Sequence, residues 1–467
     1  MAIKNASYLI ASNFFKSALT LVFALIITKF VSPADYGLLT FCISFVAIMV
    51  IVTDLGIPTS ILRSHEFDSV QAGSSIIFML YLGAGAAFFI GFLSLFADEL
   101  TGMVGLSRVM IAYAGVTAFQ IWATIPRAVL EKNQRYTKVA LWEFVAVCIA
   151  SMFFFIMLYA QLGIWALIWF HLITQFVRFI LFQTSALKFT VMKYDYKSIE
   201  SLLKVGSQVF IAYLISHTSR NLDKFLVGKL FGATSLGFYG LAFQFMMIPL
   251  MLIAYPVSNV LTNSLSKCFA KNDLIAAKKL LYSYLKITVC LTILFAAYLY
   301  FFIEYPIRFW LNEKWVGAVD YIKLMVVLGP VNAVSLFASI GVVNIGHLKK
   351  NIIIAVGMLL ALLISIFFAM NDSVFLFIEL LIVSTVIVVI VNMYFLMKLY
   401  HFSINELLSV IYTPLAFAMV TCLSFKELFE SKLDNIYVFI GSAALYAFFC
   451  FGFIYFYLQK DVKSLST

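Results

Sequence analysis

Lys29-Phe-Val-Ser32-Pro33-Ala-Asp35-Tyr36-Gly37-Leu-Leu-Thr-Phe41 returns two hundred residues later as Lys229-Leu-Phe-Gly232-Ala233-Thr-Ser-Leu236-Gly237-Phe-Tyr239-Gly-Leu241. The register persists beyond this stretch: Phe45 pairs with Phe245, Ile48 with Ile248, Ile57 with Val257 and Ser64 with Ser264. Identities are sparse, but one spacing holds over about 35 positions. Each copy separates two long apolar runs, so the chain reads as two versions of one helical unit.

Composition fixes the solvent of those units. The 467 residues are 64% hydrophobic and 12% charged, with only eight prolines, and the mean hydropathy is +1.03. A soluble domain of this length needs more polar surface. A bilayer core takes about 20 apolar residues per helix. The apolar runs and breakers predict fourteen spans, at 8–29, 38–60, 73–96, 108–129, 139–160, 163–187, 204–229, 237–262, 283–303, 319–343, 352–370, 373–397, 406–425 and 437–458. Six spans separate the two copies, an even number, so both copies have the same membrane orientation. Parallel repeats of this kind are related by an axis along the membrane normal. The expected architecture is an all-α polytopic membrane protein. Two parallel six-helix pseudo-repeats, residues 1–198 and 199–400, would face each other across a cavity, and residues 401–467 would add two helices and a cytoplasmic tail.

Lys and Arg set the orientation. With a cytoplasmic N-terminus, inside segments carry twenty of them and outside segments eight, so both termini are expected in the cytoplasm. The net charge of +10 is mostly this topology signal, and no isolated basic run points to nucleic acid. The N-terminal run from Tyr8 to Thr28 is too long for a signal peptide's apolar region and reads as the first span. Trp165, Trp169, Trp310 and Trp315 fall near outer span ends, as interface anchors do. Cys42, Cys148, Cys268, Cys290, Cys422 and Cys450 have neither metal spacing nor a disulfide pattern.

Six ionisable residues sit inside or beside these apolar runs, where a charge costs about 2.5–3.5 kcal/mol on insertion scales. They are Lys16, Asp54, Arg178, Arg220, Asp223 and Lys224. Lys16 shares a helix face with Asn13, Ser17 and Thr20, and is either a cavity-lining cation or the partner of a carboxylate such as Asp54. Tyr213, His217, Arg220 and Lys224 form a second stripe, with Asp223 beside it. An Arg220–Asp223 pair would lower the insertion cost but leaves His217 and Lys224 unexplained. Arg178 shares a face with His171 and Gln175, and either meets a ligand or snorkels. Asp54 and Asp223 are candidates for ion coupling, or for pairing and for capping a kink. An excess of cations suits an anionic ligand, and arginine forks onto phosphate oxygens. No metal-ligand cluster, phosphate-binding Gly-Lys-Ser/Thr loop or nucleophile–base pair is present in the sequence, and connections are too short for a catalytic domain. Neither enzymatic activity nor a cofactor or metal is expected.

Phe30-Val-Ser32-Pro33-Ala-Asp35-Tyr36-Gly37-Leu38, followed by Asp54-Leu55-Gly56-Ile57 and Arg63, resembles the opening of the polysaccharide-biosynthesis flippases, the Wzx group of the MOP (multidrug/oligosaccharidyl-lipid/polysaccharide) exporter superfamily. Arg220-Asn-Leu-Asp223-Lys224, running on to Gly228, Gly232 and Leu236-Gly237-Phe-Tyr239, is similar to that group's seventh span. Trp310-Leu-Asn-Glu-Lys314-Trp315-Val-Gly-Ala318 is similar to its motif before span ten, with Asn312 where a glycine often stands. The resemblance covers nearly the whole chain. It implies a V-shaped bundle in a bacterial inner membrane that moves an undecaprenyl-pyrophosphate-linked oligosaccharide, such as an O-antigen repeat unit, to the outer leaflet. Lys16, Arg178, Arg220, Lys224 and His217 would bind the substrate, and Asp54 and Asp223 would couple an ion gradient. A polymerase and a chain-length regulator would be partners. A lipid II flippase would be expected to carry more arginines in its first lobe. The competing expectations are a MATE-like cation/drug antiporter, whose cavity should be acidic, and a membrane glycan polymerase, which should carry a large outer loop.

Overall fold

The computed structural model describes residues 22, 23, 25–64, 67–311, 313–429 and 436–466, with the side chains of 208, 209, 211–213, 215–217, 219, 220, 348, 349 and 458–466 set aside. Among the described residues the regular structure is helical. By packing, the chain divides into two compact units, Met1–Gly237 and Phe238–Thr467.

The first unit is built from α1 (Pro33–Asp54), α2 (Ile57–Arg63), α3 (Ser69–Ser94), α4 (Ala97–Thr101), α5 (Leu106–Lys132), α6 (Tyr136–Tyr159), α7 (Ile164–Ala186) and the start of α8 (Tyr196–Pro249). Local chemistry starts these helices. Ser32 caps α1 by accepting from the Asp35 N–H at 3.2 Å, with Pro33 at the first helical position. Asp68 and Gln71 form a reciprocal capping box on α3. Asp98 ties the entry of α5, accepting from the Gly105 N–H at 2.9 Å and the Ser107 N–H at 2.7 Å. Partial burial works against that carboxylate's charge, but these N–H groups outweigh it and hold the group below the usual aspartate range. The hub is α5, which packs against α3, α7 and α1. Its core joins Ile57 and Ile61 to Ile76, Met79, Ile121, Ile125 and Val129, and takes in Ile199 and Leu202 from α8.

The second unit continues with a π-turn at Leu250–Ala254, then α9 (Tyr255–Ala270), α10 (Leu274–Phe302), α11 (Glu304–Trp310), α12 (Ala318–Asn344), α13 (Leu348–Ala369), α14 (Val374–Tyr400), α15 (Ile404–Phe429) and α16 (Ile436–Ser466). Here α10 and α12 are the hubs: α12 packs on α10 and α14, α13 on α14, and α15 on α10. The order of partners matches that of the first unit, where α5 packs on α3 and α7, and α6 on α7. The central helices α5 and α12 each contain a proline, Pro126 and Pro330. The apolar outer faces of both units, with Phe88, Phe153, Phe367 and Phe448 exposed, suit lipid as solvent.

Twelve helices among the described residues are long and apolar enough to cross a membrane. The expectation of fourteen differs for two reasons. The span at 8–29 falls mostly outside the described residues. The seventh and eighth spans run together as Asn221–Ala270, 50 residues long, roughly 75 Å at the helical rise and far more than one crossing needs. They are separated at Gly232, whose φ of 84° and ψ of 175° interrupt α8. Gly232 stands two hundred positions after Ser32, the residue that caps α1.

The two copies of the quoted motif also touch. A Cβ added at Gly37 would strike the carbonyl oxygen of Ala233, and one added at Gly237 would strike that of Pro33. Residue 33 is the counterpart of 233 in the sequence match, and 37 of 237, so the contact is reciprocal.

Two sequence expectations need correction. The span expected over 38–60 stops at Asp54, because Leu55 (φ 51°) and Gly56 (φ 73°) take left-handed conformations and turn the chain into α2. Trp315 is not an interface anchor. It is fully buried, because the turn Glu313–Trp315 folds it inward to meet Phe238, ring centroids 6.1 Å apart. Trp165, Trp169 and Trp310 are exposed.

Candidate functional site

Among the described residues of the first unit, the buried charged side chains lie in two places. The first is a seam between α5, α6 and α7. Glu143, on α6, is 2% exposed, and Arg178, on α7, is 8% exposed. Arg178 Nη2 donates to Glu143 Oε1 at 2.6 Å, and Arg127 Nη1 reaches the same oxygen at 3.3 Å. Arg127 Nε also donates to Glu131 at 2.8 Å. The helical face expected to join Arg178 to Gln175 does so, with Nη1 donating to Gln175 Oε1 at 2.7 Å. The guanidinium carbon lies 5.7 Å from the Phe182 ring centre. Arg178 Nε is buried without a hydrogen-bond partner among the described residues. Two turns away on the same face, His171 Nδ1 meets the Tyr113 hydroxyl at 2.7 Å.

The ion pair answers an open question about Arg178, whose charge has a protein partner. Breaking such a pair strands a buried charge, whereas an intact pair with satisfied hydrogen bonds is tolerated in a low-dielectric interior. Glu143 escapes a reading of the sequence because it stands near the start of the span at 139–160, close enough to the end to pass for an interface residue. The signal was available, since it is an acidic residue within a span.

The second place is α8. Asp223 and Lys224 are buried, with Lys224 Nζ 3.4 Å from Asp223 Oδ1. Neighbouring helical residues do not face each other, so the contact depends on the long lysine stem folding back. Both side chains have further interactions. Arg220 and His217 lie on the same helix upstream, with side chains outside the described set, so the expected Arg220–Asp223 pair is outside it too. Lys16 lies outside the described residues altogether.

Asp54 closes α1 at the elbow formed by Leu55 and Gly56. The elbow rests directly on α8, where a Cβ at Gly206 would lie 2.6 Å from the Leu55 carbonyl oxygen. Asp54 Oδ1 is buried there without a hydrogen-bond partner among the described residues. Among the described residues no cluster of His, Cys, Asp and Glu has the makings of a metal site.

These features can be set beside known proteins. Residues 26–320 match the family described as polysaccharide biosynthesis protein. The lipopolysaccharide biosynthesis protein WzxC of Escherichia coli (strain K12) is 23% identical over 334 residues, which are 68% of this chain and 64% of WzxC. The chain therefore aligns with just under two thirds of the length of that relative. Among solved structures, the lipid II flippase MurJ in an inward closed conformation superposes with a TM-score of 0.74 at 18% identity, covering 97% of this chain and 99% of MurJ. An inward-facing multidrug resistance MATE transporter of the MOP superfamily gives 0.66 at 13% identity, covering 82% and 94%. The fold is that of these membrane transporters.

Proposed function

The chain belongs to the polysaccharide biosynthesis protein family, and from that premise we propose that it is a flippase for an undecaprenyl-pyrophosphate-linked oligosaccharide. It would carry the glycan from the cytoplasmic to the outer leaflet of a bacterial inner membrane, with both termini in the cytoplasm. The observation that carries this reading is the concentration of buried charge in the first unit, on a fold shared with a lipid II flippase. Lys16, His217, Arg220 and Lys224 would meet the pyrophosphate. Arg178, clamped by Glu143 and Gln175, would offer its Nε–H and help set the cationic field. Asp54 and Asp223 would couple transport to an ion gradient. The sequence repeat at 1–198 and 199–400 would supply alternating access, with 401–467 as an addition. A polysaccharide polymerase and a chain-length regulator would act on the product.

The test is a gene deletion followed by leaflet-resolved profiling of undecaprenyl-pyrophosphate glycans. Complete single repeat units should collect on the cytoplasmic side, rescued by wild type and not by Arg220→Ala in protein shown to be inserted. Single units collecting outside would instead mark a polymerase. An unchanged lipid pool with altered resistance to cationic dyes would mark a drug antiporter.

A further inference from the structure

A second cationic site lies apart from the buried charges, at the end of the α5–α6 hairpin. A cleft of about 430 Å³ is lined by Gln134, Arg135, Thr137, Lys138, Leu141, Lys188 and Phe189. Three of these carry positive charge and none carries negative charge. The nearest acidic residues in sequence are engaged by arginines, Glu131 by Arg127 and Glu143 by Arg178 and Arg127.

The walls are held in place. The hairpin turns through Gln134 (φ 56°), with the Arg135 N–H bonded to the Leu130 carbonyl at 2.9 Å and the Gln134 N–H to that of Glu131 at 3.0 Å. This helix-ending motif aims Arg135 across the cleft, where its guanidinium carbon lies 5.9 Å from the Phe189 ring centre. The opposite wall, at Lys188 and Phe189, belongs to a strap pinned to α3. The Val191 N–H bonds to the Ser69 carbonyl at 2.9 Å, and the Ser74 hydroxyl donates to the Lys193 carbonyl at 2.7 Å. Beneath, Phe189 packs against the cluster of Ala123, Leu130, Val139 and Phe182. Arg135 holds the cap position just before the 24-residue helix α6, whose N-terminal dipole adds to the three cations.

Leu141, in the cleft, is 50% exposed, and Phe144, one turn deeper on the same helix, is 46% exposed. A cationic cleft that opens onto an apolar stripe matches an amphiphile: phosphate above, acyl chain below. By the Lys/Arg bias this end of the hairpin faces the cytoplasm, the leaflet surface where anionic headgroups gather basic side chains. We propose that this cleft binds the phosphate headgroup of an anionic membrane phospholipid, with the acyl chain along Leu141 and Phe144. The site is separate from the transported substrate and does not depend on which glycan is moved.

The experiment uses the full-length protein in detergent and follows its thermal unfolding with added phosphatidylglycerol, phosphatidylcholine or inorganic pyrophosphate. Phosphatidylglycerol should raise the midpoint of wild type, and the other two should not. Substituting Arg135→Ala, Lys138→Ala and Lys188→Ala together should weaken the apparent lipid affinity by about tenfold or more, while Lys271→Ala, on the second unit, should change nothing. Should the triple variant fail to fold, the single reversal Lys188→Glu at an exposed position must show the weakened response. A lipid response in these variants equal to wild type overturns the proposal. Protection by pyrophosphate equal to that by phosphatidylglycerol overturns it in favour of a soluble phosphate ligand.

Discussion

The unit Met1–Gly237 buries Glu143, Arg178, Asp223 and Lys224, whereas the buried polar groups described in Phe238–Thr467 are hydroxyls and amides. The packing order is otherwise the same. Where the first unit closes the contact between α6 and α7 with Glu143 and Arg178, the second joins the corresponding α13 and α14 through the Ser365 and Ser384 hydroxyls, 3.1 Å apart, and α12 to α14 through Asn392 Nδ2, which donates to Ser335 Oγ at 3.3 Å. A neutral hydrogen bond therefore suffices for this kind of helix contact. The charges in the first unit cost more than the scaffold requires, which is the argument for a functional role.

The largest expected effect tests that difference directly. Glu143→Ala leaves Arg178 buried without its counter-charge and should destabilise by about 3–5 kcal/mol. Asn392→Ala, removing a neutral bond, should cost about 1–2 kcal/mol. Thermal unfolding in detergent ranks them, and a Glu143→Ala cost no greater than that of Asn392→Ala would end the comparison. Replacing both members, Glu143→Leu with Arg178→Met, should restore most of the stability. If glycan transport returns with it, the buried charge is not functional.

A smaller effect concerns the contact of the two motif copies. Gly237→Ala sets a methyl group against the Pro33 backbone, which cannot rotate away, and should cost about 1–3 kcal/mol. Gly85 has open space around it, so Gly85→Ala should be neutral or gain about 0.5–1 kcal/mol. Equal melting points for the two variants would show that the copies do not press together.

The smallest effect lies in the turns. The α12–α13 turn has the same hydrogen bonds as the α5–α6 turn, from the His347 N–H to the Val342 carbonyl and from the Gly346 N–H to that of Val343. The left-handed position is Gly346 (φ 97°) in the second unit and Gln134 (φ 56°) in the first. Gln134→Gly should therefore stabilise by about 1 kcal/mol, and Gly346→Gln should destabilise by about as much. Melting shifts of the same sign would break the correspondence.

The spans were legible because lipid demands long apolar runs, and the break between the seventh and eighth could be placed because the repeat carries it. Asp54 and Arg178 stood out as charges in the wrong solvent. Their surroundings did not, since Glu143 lies 35 residues from Arg178 in sequence and no local pattern announces a pairing across helices. Trp315 misled for the opposite reason: its position at a span end matched a rule about composition, while a short turn decided its side. The basic cleft was visible only as scattered charges in two loops until the strap from Leu187 onward brought Lys188 opposite Arg135.

The contact between Gly37 and Ala233 also has a timetable. Synthesis proceeds at about 5–20 residues per second, so the first motif leaves the ribosome roughly ten to forty seconds before its counterpart exists. During that interval α1 must lodge in the membrane with its glycine surface uncovered. A chain halted before Ala233 never acquires the partner for that surface, although the first six spans are already made. The first unit is thus completed only when the opening of the second copy has been made.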